Sequence, residues 1–230
     1  MGISLDPPGV SPAMLKNRIA GTLLSAHSDA LGVANCLDSI ALGFGRAIAG
    51  TAVPSQETTF LVRAQSSKLY LPAGFSWTKP VTLVMYWQGV GSVTPIPSDA
   101  MIPLRDAALA KGFAFTSSAY RGAHYGSPNH MGDAQGLFEA DLVTIPVSGV
   151  ILLAGSMGAI GALNAIALNV LPNVLGAYLV QPVVSLRQRY DNGRSAEIIG
   201  SYGLASDGSD YATKTAGYDP ALRPGSDFRG

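Results

Sequence analysis

A serine between an apolar segment and a glycine- and alanine-rich segment is the feature of the sequence best suited to chemistry. The string 150–159 (VILLAGSMGA) carries Ser156 with the small residues Ala154 and Gly158 two positions away on either side. Where a strand turns sharply into a helix, a serine is held in a strained backbone conformation, and bulky neighbours would collide. The amino terminus of the helix offers backbone N–H groups and partial positive charge to a developing oxyanion. The spacing therefore predicts that Ser156 attacks an acyl carbonyl.

Three stretches of the sequence occur in the order that α/β-hydrolases show. The string AGSMGA at 154–159 resembles the nucleophile elbow of that family, with Ala154 in place of its first glycine. Gln88-Gly89-Val90 follows an apolar run at the place of the family's His-Gly oxyanion loop, and Gln88 replaces the histidine. Residues 109–127 are similar to the family's A-x-x-G-(strand)-x-R-G-x-G-x-S loop. The sequence thus resembles the α/β-hydrolase superfamily over roughly residues 57–220.

This resemblance implies roles for four residues. Ser156 would be the nucleophile, and the backbone N–H groups of Met157 and of Gly89 or Val90 would hold the oxyanion. The implied activity is that of a serine esterase, lipase or peptidase-like enzyme, here a hydrolase of carboxylic esters that needs no cofactor. A different interpretation of the same pattern is a Rossmann-like domain with an incidental serine in a βα turn.

The general base is the part of this machinery that is missing after the nucleophile. In α/β-hydrolases an acid and then a histidine follow the serine, but no histidine follows Ser156. A serine hydroxyl without a base is a poor nucleophile near neutral pH. Four explanations stay open: a longer or proteolysed native chain, a second polypeptide that completes the triad, a degenerate hydrolase kept as a scaffold, or His124 or His130 as the base. A surface-loop position is the default expectation for both histidines.

Alternating strands and helices must position these residues. The apolar run 81–87 is typical of a strand buried on both faces. Alternation of such strands with helices predicts parallel βαβ units, hence an α/β fold with a mostly parallel sheet flanked by helices. The predicted strands are 58–64, 68–71, 81–87, 113–119, 149–154 and 174–180, with a turn at 65–67. The predicted helices are 103–111, 132–144 and 158–170, with Asp133 and Glu139 on the exposed side of the second.

Composition limits the classes of partner and site. The 230 residues include 15 basic and 15 acidic side chains, a balance that argues against nucleic-acid binding. Residues 142–186 carry no charge, but proline and glycine divide the run, which predicts buried strands and a helix rather than a membrane span. The lone Cys36 and three scattered histidines argue against a disulfide framework and a metal site.

The chain divides into two predicted parts. Residues 1–54 form a Pro-rich arm and helical extension, which packs on the main domain or docks on another subunit. Residues 55–230 form the α/β-hydrolase-like core, in which 186–220 is cap-like or irregular and the C-terminal strands with the acid and histidine are missing. The expected partners are therefore a small ester or acyl substrate and another polypeptide or chain segment that completes the sheet.

The location and the main alternative function follow from the same features. No signal peptide is visible, which predicts a cytoplasmic protein or a part of a virion or other assembly. The charge-poor sequence and the missing half of the triad also suit a catalytically degenerate, hydrolase-like subunit of a larger assembly, such as a virion tail component.

Overall fold

A computed structural model describes residues 56–91, 93–97, 99 and 101–228, so the arm and helical extension predicted at 1–54 lie outside the described residues. The strands, numbered in chain order, are β1 (Gln56–Val62), β2 (Gln65–Leu71), β3 (Val81–Trp87), β4 (Ala114–Ser118), β5 (Val147–Gly155) and β6 (Val174–Val180). The helices are α1 (Ile102–Ala110), α2 (Pro128–Thr144), α3 (Gly158–Ala167), α4 (Leu186–Arg189), α5 (Ser195–Tyr202) and α6 (Tyr211–Lys214). A π-helical turn spans Tyr190–Arg194, and 3-10 turns span Pro220–Leu222 and Gly225–Phe228.

The six strands form one sheet in the order β1-β2-β4-β3-β5-β6. Strands β4, β3, β5 and β6 run parallel, whereas β1 pairs antiparallel with β2 and β2 antiparallel with β4. The predicted α/β architecture with a mostly parallel sheet is confirmed. The antiparallel pair at one side sets this sheet apart from the all-parallel order of a Rossmann domain.

The hairpin between β1 and β2 differs from the sequence prediction. Its turn is Arg63-Ala64, not 65–67, since Val62 pairs with Gln65 and both turn residues have positive φ, 48° and 63°. A two-residue hairpin turn with positive φ at both positions matches the twist of the strands. Such a turn usually carries Asn or Gly, so Arg63-Ala64 has no turn signature, whereas the polar run 65–67 that follows it does resemble a turn.

Helices cover both faces of the sheet. Side chains of α2 and α3 pack with Leu83, Met85 and Trp87 on one face, and α1 packs with Val84 and Tyr86 on the other. Strand β3 is therefore buried on both faces, as its uninterrupted apolar sequence predicts. Helix α2 begins at Pro128, four residues before the predicted start, because proline is well suited to the first turn of a helix.

One predicted surface residue of α2 is buried. Glu139 is exposed as expected, but Asp133 is buried and accepts two hydrogen bonds from Arg121, of 2.6 and 3.1 Å. Arg63 in the hairpin turn lies 3.7 Å from the same carboxylate. The prediction was wrong because it considered the charge of Asp133 without the two arginines that lie opposite it in the fold.

The segment after β6 packs over the first turn of α3. Val183, Leu186, Ile198 and other apolar residues of this segment form a cluster with Met157 and Ile160. This cluster lies at the carboxyl ends of the parallel strands, the edge where α/β folds bind ligands. Within the described ranges, no helix combines the length and the apolar character needed to cross a bilayer.

Candidate active site

Ser156 occupies the junction between β5, which ends at Gly155, and α3, which begins at Gly158. Its φ of 48° lies in the left-handed region, which a residue with a side chain adopts only when neighbouring contacts enforce it. Its N–H donates to the Val180 carbonyl at 3.0 Å, and its carbonyl accepts from Val183 and Ala159 at 3.0 and 3.1 Å. The side chain is exposed. The backbone is thus fixed by β6, the following loop and α3, while the hydroxyl stays accessible.

The small residues around Ser156 are required by the approach of β3. A Cβ atom at position 158 would lie 2.2 Å from the Trp87 carbonyl oxygen, so only glycine fits there. Ala154 pairs with Trp87 in the sheet register and is fully buried, so the alanine that replaces the family's first glycine is accommodated. The turn can therefore be this tight because Gly158 lets α3 start against the end of β3.

The loop after β3 runs directly beside Ser156. A Cβ atom at Gly89 would lie 3.4 Å from the Ser156 Cβ, so the Gly89 backbone borders the serine side chain. Among the described residues, the N–H groups of Gly89, Val90 and Met157 donate no backbone hydrogen bond. The Gln88 side chain donates to the Ala119 carbonyl at 2.8 Å and ties this loop to the segment after β4. The geometry thus places three unengaged donors on segments that border an exposed hydroxyl.

His124 and His130 lie in the interior, not on a surface loop as expected from sequence. Both are buried, and their rings are in contact, tilted by 31° with centroids 3.5 Å apart. His130 also packs edge-on against Trp87 at 4.7 Å and against Tyr120 at 4.8 Å. The polar residues around them suggest a surface loop, but His130 lies in the first turn of α2 and packs against Gly161 of α3. Nothing local in the sequence indicates this contact.

Burial keeps both imidazoles neutral. Desolvation lowers the pKa of His124 to about 3, although the nearby Gln88 carbonyl opposes the shift. Desolvation also lowers the pKa of His130 well below its usual range, and the neighbouring His124 contributes to that shift. The Nδ1 atom of His124 accepts the Gly126 N–H at 3.2 Å. Neither histidine hydrogen-bonds the Ser156 hydroxyl. The cavity of about 280 Å³ that they line also includes Arg121, Ser127 and Glu197, but not Ser156.

Two buried polar residues that the sequence analysis did not single out hold the surrounding segments. The Asn164 amide on α3 donates to the Gly126 and Tyr218 carbonyls at 3.2 and 2.9 Å. The Asp219 carboxylate accepts hydrogen bonds from the N–H groups of Leu186, Arg187 and Ala221 at 3.0, 2.8 and 3.1 Å. Its carboxylate is thus engaged in holding the backbone at the start of α4.

No protein-family model matches the sequence, and no curated protein matches it. Solved structures do match. FphF, a fluorophosphonate-binding serine hydrolase of Staphylococcus aureus, aligns with TM-score 0.54 and 15% identity over 74% of this chain and 71% of its own. The S-formylglutathione hydrolase FrmB of the same organism aligns with TM-score 0.50 and 14% identity over 74% and 72%. Oligopeptidase B of Leishmania major aligns with TM-score 0.54 and 11% identity.

These similarities establish the fold. The oligopeptidase alignment covers 73% of this chain but 26% of that protein, so the chain spans about a quarter of the larger enzyme's length. With identities this low, what is shared is the arrangement of strands and helices. The α/β-hydrolase fold predicted from the three sequence stretches is confirmed.

Proposed function

We propose that this chain, which has the α/β-hydrolase fold, is a serine hydrolase of carboxylic esters with Ser156 as the nucleophile. The observation that carries the proposal is an exposed serine with positive φ at the β5–α3 junction, next to the Gly89 backbone. The N–H groups of Gly89, Val90 and Met157 on the adjoining segments donate no backbone hydrogen bond. Strain of this kind in a non-glycine residue is concentrated at functional sites. The solved structures with this fold include proteins described as a serine hydrolase and as S-formylglutathione hydrolase.

In the proposed reaction the Ser156 oxygen bonds to the acyl carbon while its proton passes to a general base. The carbonyl electron pair moves onto oxygen, and the N–H groups of Met157 and of Gly89 or Val90 stabilise that charge together with the α3 amino terminus. Collapse of the intermediate expels the alcohol, which takes the proton back from the base, and leaves an acyl-serine. Water then attacks in the same way and releases the carboxylic acid and the free serine.

The acid and histidine of the triad are proposed to come from residues outside this chain segment. His124 and His130 are buried beside a cavity that Ser156 does not line, and Asp219 is occupied by three backbone N–H groups. An external imidazole can then replace the missing base. The oxyanion donors without a base retain only a part of the catalytic effect, which predicts a slow reaction of the chain alone.

A fluorophosphonate probe tests this proposal. We expect slow labelling of Ser156 in the chain alone, faster labelling in proportion to added imidazole, and none in Ser156→Ala. Labelling that persists in Ser156→Ala would contradict the assignment of the nucleophile. If folded wild-type protein stays unlabelled with and without imidazole, the enzyme proposal fails for this chain, and the degenerate, hydrolase-like subunit of an assembly takes its place.

A further inference from the structure

The loops after β3, β5 and β6 meet around Ser156. Trp87 at the end of β3 pairs with Ala154, and Gly155 at the end of β5 pairs with Val180 at the end of β6. Because parallel strands end at one edge of the sheet, the segments that follow lie next to one another. These segments are 88–91 and 93–97 after β3, 156–157 after β5 and 181–185 after β6.

None of these three segments contains a charged residue. The sequence reads QGVGSVTPIP at 88–97, SM at 156–157 and QPVVS at 181–185, and the first charges beyond them are Asp99 and Arg187. The segments expose four large apolar side chains instead: Val90 (37%), Val93 (71%), Ile96 (48%) and Val184 (44%). We call these four residues the apolar rim. Aliphatic side chains left in water on functional loops are typical of a surface that binds an apolar group.

Two members of the apolar rim adjoin residues that touch Ser156. Val90 follows Gly89, whose Cβ position lies 3.4 Å from the Ser156 Cβ. Val184 follows Val183, whose N–H donates to the Ser156 carbonyl at 3.0 Å. Ser117 at the end of β4 donates its hydroxyl to the Pro95 carbonyl, which ties the part of the loop that carries Val93 and Ile96 to the sheet. Val90 and Val184 therefore each lie one residue from a neighbour of Ser156.

We propose that the apolar rim binds the acyl chain of the ester, so the substrate class is that of esters with an uncharged, aliphatic acyl group. This inference rests on the proposed function of Ser156. A charged acyl group would lose hydration against the rim without gaining a partner, whereas each methylene group of an aliphatic chain gains from leaving water. Because the apolar rim adjoins the residues next to Ser156, we expect it to bind the chain of a substrate that reacts at Ser156 and not another polypeptide.

The test compares two fluorophosphonates that differ only in the alkyl chain, ethyl or octyl. Transfer of one methylene group out of water is worth about a fourfold rate ratio, so burial of only part of the octyl chain gives at least about tenfold faster labelling than ethyl. Val184→Asp should lower octyl labelling about tenfold more than ethyl labelling, so that the octyl-to-ethyl ratio falls. Val143→Asp is the matched control, because Val143 is 89% exposed near the end of α2, at the opposite edge of the sheet.

A second measurement is independent of the reactivity of Ser156. Saturation-transfer NMR on the Ser156→Ala protein compares the binding of methyl octanoate with that of methyl propanoate, with and without Val184→Asp. We expect preferential binding of the octanoate, lost with Val184→Asp and kept with Val143→Asp.

The failures of the two proposals can be told apart. Equal ethyl and octyl labelling of wild-type Ser156, or equal binding of both esters, overturns the apolar rim as an acyl site and leaves the nucleophile in place. Selective binding of the octanoate without labelling by either probe overturns the proposed function but not the recognition of an apolar chain. A rim that serves another polypeptide would give no chain-length preference in either experiment.

Discussion

Replacement of Asp141 by asparagine should remove a large pH dependence of stability. Asp141 lies on α2 with its side chain buried, and neither carboxyl oxygen has a hydrogen-bond partner. Burial raises the pKa of Asp141 from 3.8 to about 8. The Thr116 hydroxyl lies close and opposes the shift, but its proton is donated to the Lys68 carbonyl at 3.0 Å. The carboxyl group is therefore protonated in the folded protein at neutral pH and ionised in the unfolded chain.

The magnitude follows from proton linkage. Between pH 4 and 8 the folded state binds more protons at this site than the unfolded state, so stability falls as pH rises through this window. With pKa values of 3.8 unfolded and about 8 folded, the site alone makes the protein about 3–4 kcal/mol less stable at pH 8 than at pH 5. Asparagine has nearly the same shape and no charge, so the stability of Asp141→Asn relative to the wild type should rise by about 3–4 kcal/mol between pH 5 and pH 8.

Urea unfolding at the two pH values, followed by tryptophan fluorescence, measures this difference. The comparison is made between variants at each pH, so the contributions of other titrating groups cancel. Asp133→Asn is a matched control: its carboxylate is equally buried but paired with Arg121, so its loss should destabilise the protein by about 1–3 kcal/mol at both pH values. Parallel pH profiles of wild type and Asp141→Asn would refute the reasoning.

Three further predictions concern the elbow and the histidines. Gly158→Ala should destabilise the fold by at least about 2 kcal/mol in urea unfolding, because its Cβ would lie 2.2 Å from the Trp87 carbonyl oxygen; unchanged stability would contradict this packing. Ser156→Gly should raise stability by about 1 kcal/mol through release of the positive φ, whereas Ser156→Ala should not; equal melting temperatures would contradict the strain. Because the pKa of His124 is about 3 in the folded protein and 6.5 in the unfolded chain, the protein loses about 2–3 kcal/mol of stability as pH falls from 6.5 to 4.5. His124→Gln should remove this loss. If the stability difference between wild type and His124→Gln does not change with pH, the burial of a neutral His124 is contradicted.

Much of the architecture could be predicted because its signals are local. The strands Val81–Trp87 and Val174–Val180 have the predicted bounds, and α3 begins at Gly158 as expected. A continuous apolar run bounded by proline and glycine is a property of a few adjacent residues. Burial on both faces then follows from the parallel sheet that such runs form.

The parts that sequence reasoning missed depend on residues far apart in the chain. Asp133 is buried because Arg121 and Arg63 lie opposite it, and His130 is buried because α3 carries Gly161, where a Cβ would lie 2.6 Å from the His130 Cε1. These pairings cannot be read from either partner's own surroundings. The left-handed turn at Arg63-Ala64 is set by the strand register and not by a turn sequence.

The candidate site shows the same division. The proposed nucleophile and oxyanion loop are short motifs that are visible in the sequence, although Ala154 and Gln88 depart from the expected pattern. The Gln88 amide holds its loop by a hydrogen bond to the Ala119 carbonyl. The absence of charge in the segments near Ser156 can be read from the sequence. That these three segments lie together can be known only from the order of the strands in the sheet. The roles of Asn164 and Asp219 had no sequence signal, because their partners are backbone groups of distant segments.

The central claim is that Ser156 is the nucleophile, and the mass of the intact protein after fluorophosphonate treatment with imidazole tests it most directly. The account predicts one adduct per chain, mapped to the peptide that contains Ser156 and absent from Ser156→Ala. A folded wild-type protein without an adduct, or an adduct on a different residue, would contradict it.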